Sequence, residues 1–308
     1  MRQELLDLLQ CPISGEPLRI SGGALLSSSG AHSYRLSPSG VPLFGEAWLS
    51  PEGAVQRQHY DTIAGVYLTN LTYPHTREYM AYLDRAVLEL TAGQQMGAVA
   101  EICCGAGEAF HLLSNAARLG VGVDVSPSML EAARRDIPED TRLFAQGDAT
   151  RLPLRDSQFD MVVMLGGIHH VNDRDRLFSE VRRILKPGGT FVWREPLDDF
   201  FLWRALRAAI YRGSPTLQAD TERPLRFADT NAQLAGARLS LEVWRTIGFF
   251  GYCFLMNSDV LAINRIWQYV PGAEALTRAA TKIDEWTLKL PGLSGAGLAV
   301  VGRARRAD

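Results

Sequence analysis

Val99-Ala100-Glu101-Ile102-Cys103-Cys104-Gly105-Ala106-Gly107-Glu108 is the stretch on which the reading of this 308-residue chain turns. An apolar strand runs into a glycine-rich turn, and Ala109 to Leu112 continue as a helix. Glycines in such a turn let a ligand approach the backbone, and the first helical turn offers unpaired N–H groups. The stretch lacks the third glycine of the dinucleotide fingerprint, so alone it is a weak signal.

Beyond it, short apolar runs alternate with amphipathic helices. Strands are expected at 98–103, 121–124, 142–145, 161–164 and 190–193, with helices near 108–118, 127–136 and 173–185. Alternation of this kind implies a parallel sheet with helices on both faces. Lys186-Pro187-Gly188-Gly189 closes the third helix, because proline cannot continue it and glycine accepts positive φ. Acids arrive in register with the strands. Asp124 ends the second, where a carboxylate suits ribose hydroxyls; Asp148 follows the third, where it can accept from an exocyclic amine; Asp160 opens the fourth. Ligands of open α/β sheets bind at the strands' carboxyl ends.

With these residues in place, 97–194 resembles a class I S-adenosylmethionine-dependent methyltransferase. That family's glycine-rich motif reads acid-x-G-x-G-x-G, its second motif ends in an acid, and its fifth strand follows a K-P-G-G turn. Here the acid is Glu101, Gly105 and Gly107 match, and Cys103 stands at the first glycine, where the loop survives if φ is negative. The resemblance implies a Rossmann-like α/β fold with a mostly parallel seven-stranded sheet, a small N-terminal β module and helical acceptor-side insertions. It implies S-adenosyl-L-methionine as cofactor, S-adenosyl-L-homocysteine as product, and no metal. Carried over, Glu101, Cys103, Gly105 and Gly107 would surround the methionyl moiety. Asp124 would hold the ribose, with Val125 beside the adenine. Asp148 and Ala149 would read the adenine amine and ring nitrogen, and Leu165 and Gly166 would line the reaction side. Met129 either packs on the adenine or belongs to the core.

Two flanking motifs extend the resemblance. Tyr60-Asp61-x-Ile63-Ala64-x-x-Tyr67 resembles the helix that caps the donor in small-molecule methyltransferases. Tyr67 would close over the sulfonium with a ring face that favours the cation; the alternative is that both tyrosines only pack. Gly166-Gly167-Ile168-His169-His170-Val171-Asn172-Asp173 resembles the L-H-H-V stretch of the quinone- and sterol-type branches. That implies a histidine near the transferred methyl, with His169, slightly ahead, or His170 as general base. The alternative is that one orients the loop while the other packs. Asn172 or Asp173 fits the cap of the next helix.

Residues 1–53 hold many Gly, Ser and Pro and short β-like pieces, a module with little core of its own. Leu5-Leu6-Asp7-Leu8-Leu9-x-Cys11-Pro12 and Gly40-Val41-Pro42-Leu43-Phe44 resemble, weakly, zinc-ribbon activator subunits of methyltransferases. Ser14 stands where a second cysteine would be, and Cys11 with His32 cannot complete a tetrahedral site, so no zinc is expected. The resemblance implies that residues 54–308 are the methyltransferase domain: cap helices at 54–92, the donor-binding core at 97–194 and acceptor-side elements at 195–290. The last contain an aromatic helix at 198–211, a helix at 231–235, a strand at 239–246, the turn Phe249-Phe250-Gly251-Tyr252 and a long helix around 257–289; a strand at 296–303 follows them. Trp193, Phe200, Phe201, Trp203, Phe249, Phe250 and Trp267 suit an apolar or aromatic acceptor, or an ordinary core.

Composition narrows the function. Lys+Arg 32 against Asp+Glu 34 gives a net charge of −2, which argues against nucleic acid held through phosphates. No run approaches the roughly 18 apolar residues of a membrane span. The first residues alternate charge with Leu, unlike a secretory signal, and the four cysteines include no C-x-x-C pair. A cytoplasmic enzyme acting on a hydrophobic small molecule, a secondary metabolite or isoprenoid-like compound, is the expectation, and a homodimer is among the states left open. The alternatives are an RNA or protein methyltransferase, a donor-binding scaffold without catalysis, or a cyclase using bound S-adenosylmethionine.

Overall fold

The computed structural model describes residues 2–137, 140–205, 208, 223–249, 251 and 262–307. Its centre is a seven-stranded sheet in the order β6-β5-β4-β7-β8-β10-β9. The strands are β4 (Met96–Ile102), β5 (Ala117–Asp124), β6 (Arg142–Gln146), β7 (Phe159–Leu165), β8 (Leu185–Pro196), β9 (Leu239–Ile247) and β10 (Ala299–Arg306). β6, β5, β4, β7 and β8 run parallel, while β10 lies antiparallel between β8 and β9. Parallel strands are buried on both faces. Accordingly Ala98, Ala100 and Ile102 pack on one side of β4 and Val99 on the other.

Helices cover both faces: α3 (Pro74–Thr91), α4 (Glu108–Leu112), α5 (Pro127–Asp136) and α6 (Arg174–Ile184). Beyond the sheet core come α7 (Phe227–Gly236), a 3-10 stretch (Ala262–Tyr269) and α8 (Ala273–Thr287). Tyr79, Leu83, Val87 and Leu90, the apolar face read from the sequence of α3, are all buried. By contrast α2 (Pro51–Leu71) buries only Gly53, Gln56 and Asn70. Side-chain hydrogen bonds seat it: Ser50 on Asp148, Tyr60 on His170, and Asp61 on Ser126.

The N-terminal residues form α1 (Gln3–Leu6) and the antiparallel sheet β1 (Leu18–Ser21), β2 (Ala24–Ser27) and β3 (Ser33–Arg35). Their apolar residues Leu5, Leu9, Leu25, Tyr34 and Phe44 are continuous with the core of the large sheet. Cys11 Sγ lies 2.8 Å from the Tyr34 hydroxyl. Among the described residues no cluster of three or more His, Cys, Asp or Glu is placed to hold a metal. The chain leaving this module runs along the sheet edge, where Gln146 N–H donates to Pro42 O, and so covers an otherwise open edge strand.

Several expectations need correction. The helix expected at 108–118 ends at Leu112, because residues 117–120 are drawn into β5. The helix expected at 231–235 begins at Phe227, and the last strand is shifted to Ala299–Arg306. The Lys186-Pro187-Gly188-Gly189 turn is a bulge within β8, which resumes its pairing with β7 at Thr190. Cys103 has φ +52, not negative. A non-glycine residue held there costs on the order of 1–2 kcal/mol, tolerated because the turn is fixed on both sides. Cys104 N–H donates to Val123 O, and Gly107 N–H to Cys104 O.

The expected acceptor aromatics take structural roles. Trp193 is fully buried in the core. Trp203 and Phe249 form a small cluster with Ala296 and Leu298, against which Phe200 packs. Trp267 packs on the α3 side of the core, and Phe201 is 67% exposed. Phe250, Tyr252, Cys253 and the 206–207 and 209–211 parts of the aromatic helix lie outside the described residues, as does the start of the helix expected from 257. Among the described residues no helix is long and apolar enough to cross a membrane.

Among the described glycines, Gly302 of β10 has the closest neighbour: a Cβ there would lie 2.1 Å from the Trp193 indole. Gly302→Val should therefore lower stability by roughly 1–3 kcal/mol through overpacking, read as a fall in thermal melting temperature. A variant that melts like the parent would contradict this packing.

Candidate functional site

At the carboxyl ends of β4, β5, β6 and β7 the loops diverge and leave a cavity of about 970 Å³. It lies where strand order reverses on either side of β4, the position at which open α/β sheets bind ligands. From the sheet come Glu101, Cys103 and Gly105 after β4, Asp124 and Val125 after β5, Asp148 and Ala149 after β6, and Leu165 and Gly166 after β7. Met129 of α5, Tyr67 of α2 and His170 complete the expected residues that line it. Gly107 and His169 do not line it. Gly107 serves packing: it caps α4 at φ +83, and a Cβ there would meet Ile137 Cδ1 at 2.4 Å.

The acids differ in what they leave free. Asp124 Oδ2 accepts from Gly105 N–H and Oδ1 from Ser126 N–H, both at 2.9 Å. A carboxylate has about four acceptor positions, so Asp124 keeps one on each oxygen, matching the two hydroxyls of a ribose. Burial pushes its pKa up, against the opposing effect of those N–H groups. Glu101 Oε1 accepts from Ala109 N–H at 2.8 Å, while its Oε2 is buried without a partner. Burial pushes the Glu101 carboxyl well above the usual range. An orphaned acceptor of this kind fits the ammonium of a methionyl group, and the residues present fit the donor.

Asp148 is different. Its Oδ2 accepts from Ser50 N–H (2.9 Å) and Oγ (2.7 Å), and its Oδ1 from Thr150 N–H (2.8 Å) and Oγ1 (2.6 Å). Ser50 in turn caps α2 by accepting from Gly53 N–H. Asp160 is also structural. It opens β7 at the end away from the cavity, accepting from Lys186 Nζ at 2.7 Å and Ala98 N–H at 2.8 Å.

The two histidines separate. Glu195 Oε1 accepts from Gly167 N–H (2.7 Å) and Ile168 N–H (2.8 Å), and its Oε2 lies 2.7 Å from His169 Nδ1. His169 therefore anchors its loop to β8. His170 lies over the cavity with Nε2 2.9 Å from the Tyr60 hydroxyl and Nδ1 buried without a partner. Burial, then the neighbouring His169 ring at 3.9 Å, pulls its pKa well below 6.5. The ring of Tyr67 packs edge-on against Tyr60 at 6.2 Å. Asp173, not Asn172, caps α6, accepting from Arg176 N–H.

Sequence reasoning missed Glu195, since nothing local marks an acid after strand five as a loop anchor. It missed Trp48 and Gln56, which reach the cavity from the chain entering α2. It also missed the buried Arg194, which donates to Asp84 (2.7 Å) and Glu108 (2.8 Å) at the cavity wall. Burial raises the Asp84 carboxyl to about 6 despite Arg194. These partners lie 86 and 110 residues from Arg194, so no spacing rule joins them.

Residues 100–193 match the family model described as a methyltransferase domain. The chain is 32% identical over 154 residues to the ubiquinone/menaquinone biosynthesis C-methyltransferase UbiE of Acidiphilium cryptum, covering 45% of this chain and 57% of that protein. It thus spans little more than half the length of that relative. The [4+2]-cyclase SpnF shares the fold with a TM-score of 0.60 at 17% identity, over 84% of this chain and 98% of that one. Phosphoethanolamine N-methyltransferase 2 of Haemonchus contortus, crystallised with S-adenosyl-L-methionine, superposes with a TM-score of 0.51 at 16% identity, over 74% and 53%. The glycine turn at β4, the half-open Asp124 and the seven-stranded sheet agree with these matches: residues 100–193 form a methyltransferase domain, in a chain with the fold of the solved methyltransferase structures.

Proposed function

We propose that this protein transfers a methyl group from S-adenosyl-L-methionine to an O, C or N nucleophile of a hydrophobic small molecule. The observation that carries the reading is one cavity that combines a donor-type cradle with a neutral histidine. Pockets for small molecules span about 300–1,000 Å³, and this one is at the upper end, which suits a donor and an acceptor together. The quinone C-methyltransferase among the relatives supports a hydrophobic acceptor and puts carbon first among the nucleophiles.

Bound there, the cofactor would supply a methyl group already activated by its sulfonium. The protein's task is then alignment, water exclusion and, for an acidic acceptor, removal of a proton. Asp124 would hold the ribose and Glu101 the methionyl ammonium. His170 is the base in this reading. With Nε2–H donating to the Tyr60 hydroxyl, Nδ1 keeps a lone pair to take the acceptor's proton. His169, tied to Glu195, positions the loop.

Asp124→Ala should weaken binding of S-adenosyl-L-homocysteine about tenfold or more, since hydrogen bonds to charged groups contribute roughly 1.5–3 kcal/mol. Calorimetry showing unchanged affinity would move the ribose site elsewhere. His170→Ala should cut turnover about 10²-fold or more, whereas His169→Ala should cost less. Because the His170 pKa lies well below 6.5, the wild-type rate should hold as pH falls through 6.5 and decline only further down. A decline centred at 6.5 would point to a different, exposed base.

A further inference from the structure

We propose that the outward face of α8 docks on the headgroup layer of an anionic lipid bilayer. The proposal stands on this helix and its neighbours and is independent of the methyl-transfer reading.

A surface helix ordinarily hides its apolar stripe and turns its polar side to water. α8 is turned the other way. It buries Ala273 and, with it, Thr277, Thr281, Asp284 and Thr287, while Leu276 is 45% exposed, Ile283 57% and Trp286 63%. The orientation is held by specific contacts. Asp284 accepts from the Tyr79 hydroxyl of α3 at 3.3 Å and from Gly251 N–H, and Arg278 donates to Glu78 at 2.8 Å. Each buried threonine hydroxyl donates to a carbonyl of the same helix, so the inward polar groups are satisfied. At about 100° per residue, Leu276, Ala279, Ile283 and Trp286 form one outward row. Removing such a row from water is favourable.

The row does not stand alone. Leu288, just past α8, packs on the cluster of Trp203, Phe249, Ala296 and Leu298, and so does Phe200. Phe201, whose ring centre is 5.2 Å from that of Phe200, is exposed, as is Leu202. Two elements distant in sequence thus present apolar side chains outward next to one cluster.

Charge selects the occupant. Lys282 and Lys289, two of the three lysines in the chain, are exposed and follow the apolar row around the helix, whereas Glu274 and Glu285 lie farther round. Arg204 is exposed next to Leu202. Lysine and arginine stems lie along apolar surface and carry their charge to the phosphates at its edge, and tryptophan favours the same depth. A second copy of the chain fits less well. An antiparallel two-fold pairing of α8 sets the two lysine rows side by side, and facing like charges oppose the contact.

The test is flotation of the full chain with vesicles of phosphatidylcholine, alone or mixed with phosphatidylglycerol. Wild type should float with the mixed vesicles, and added salt should weaken that binding. Ile283→Ser with Trp286→Ser should weaken it about tenfold or more through lost apolar burial. Lys282→Gln with Lys289→Gln should weaken binding to the mixed vesicles about tenfold and flatten its salt dependence. All four side chains are exposed, so both double variants should melt like wild type. A wild type that floats with neither vesicle overturns the proposal. So does an Ile283→Ser/Trp286→Ser chain that floats as well as wild type, or a lysine pair whose removal leaves affinity and salt dependence unchanged. A dimer seen by light scattering and lost in the Ile283→Ser/Trp286→Ser chain, with no vesicle binding, assigns the face to a second copy instead. None of these outcomes bears on Asp124 or His170, so the methyl-transfer reading stands or falls separately.

Discussion

Four carboxylates set the loops at the carboxyl end of the sheet: the buried Glu101 on β4, Asp148 after β6 and Glu195 on β8, and the half-buried Asp124 ending β5. Burying a charge is costly unless hydrogen bonds replace water. Each of the four accepts at least one backbone N–H from the loop it holds. These hydrogen bonds tie the chain that follows each strand back to the sheet. The cavity is the space left between loops so fixed.

Counting what each carboxylate has left divides them. Asp124 and Glu101 retain unfilled acceptor positions, while Asp148 and Glu195 are filled from within the chain. The first pair can recognise a ligand and the second pair builds the walls. The same count separates the histidines. His169 spends its Nδ1 on Glu195, whereas His170, which lines the cavity, keeps a buried nitrogen unpartnered. One Asp and one Glu stand in each carboxylate pair and the two histidines are adjacent, so only the hydrogen-bond inventory tells their roles apart.

The roof of the cavity illustrates a second economy. α2 has almost no apolar face to bury, yet it is the longest helix in the described residues. Ser50, Tyr60 and Asp61 attach it through polar side chains to the loops after β6, β7 and β5. A helix held this way lines the cavity without filling it.

The alternating apolar runs and the glycine turn at Gly105 and Gly107 are enough to establish a parallel α/β sheet, the approximate places of its five parallel strands and the end of the sheet at which the cavity opens. Those features are local: strand period, helix period and turn chemistry are written within ten or so residues. Asp124 was legible for the same reason, because the end of a strand is a local position. The short α4, the left-handed Cys103 and the roles of the C-terminal aromatics were not, since each is imposed by neighbours distant in sequence. Which acids remain open and which histidine meets the cavity were decided by tertiary structure alone. Hydrogen-bond saturation depends on groups as far as 98 residues away, as Ser50 and Asp148 are, and no pattern along the chain records it.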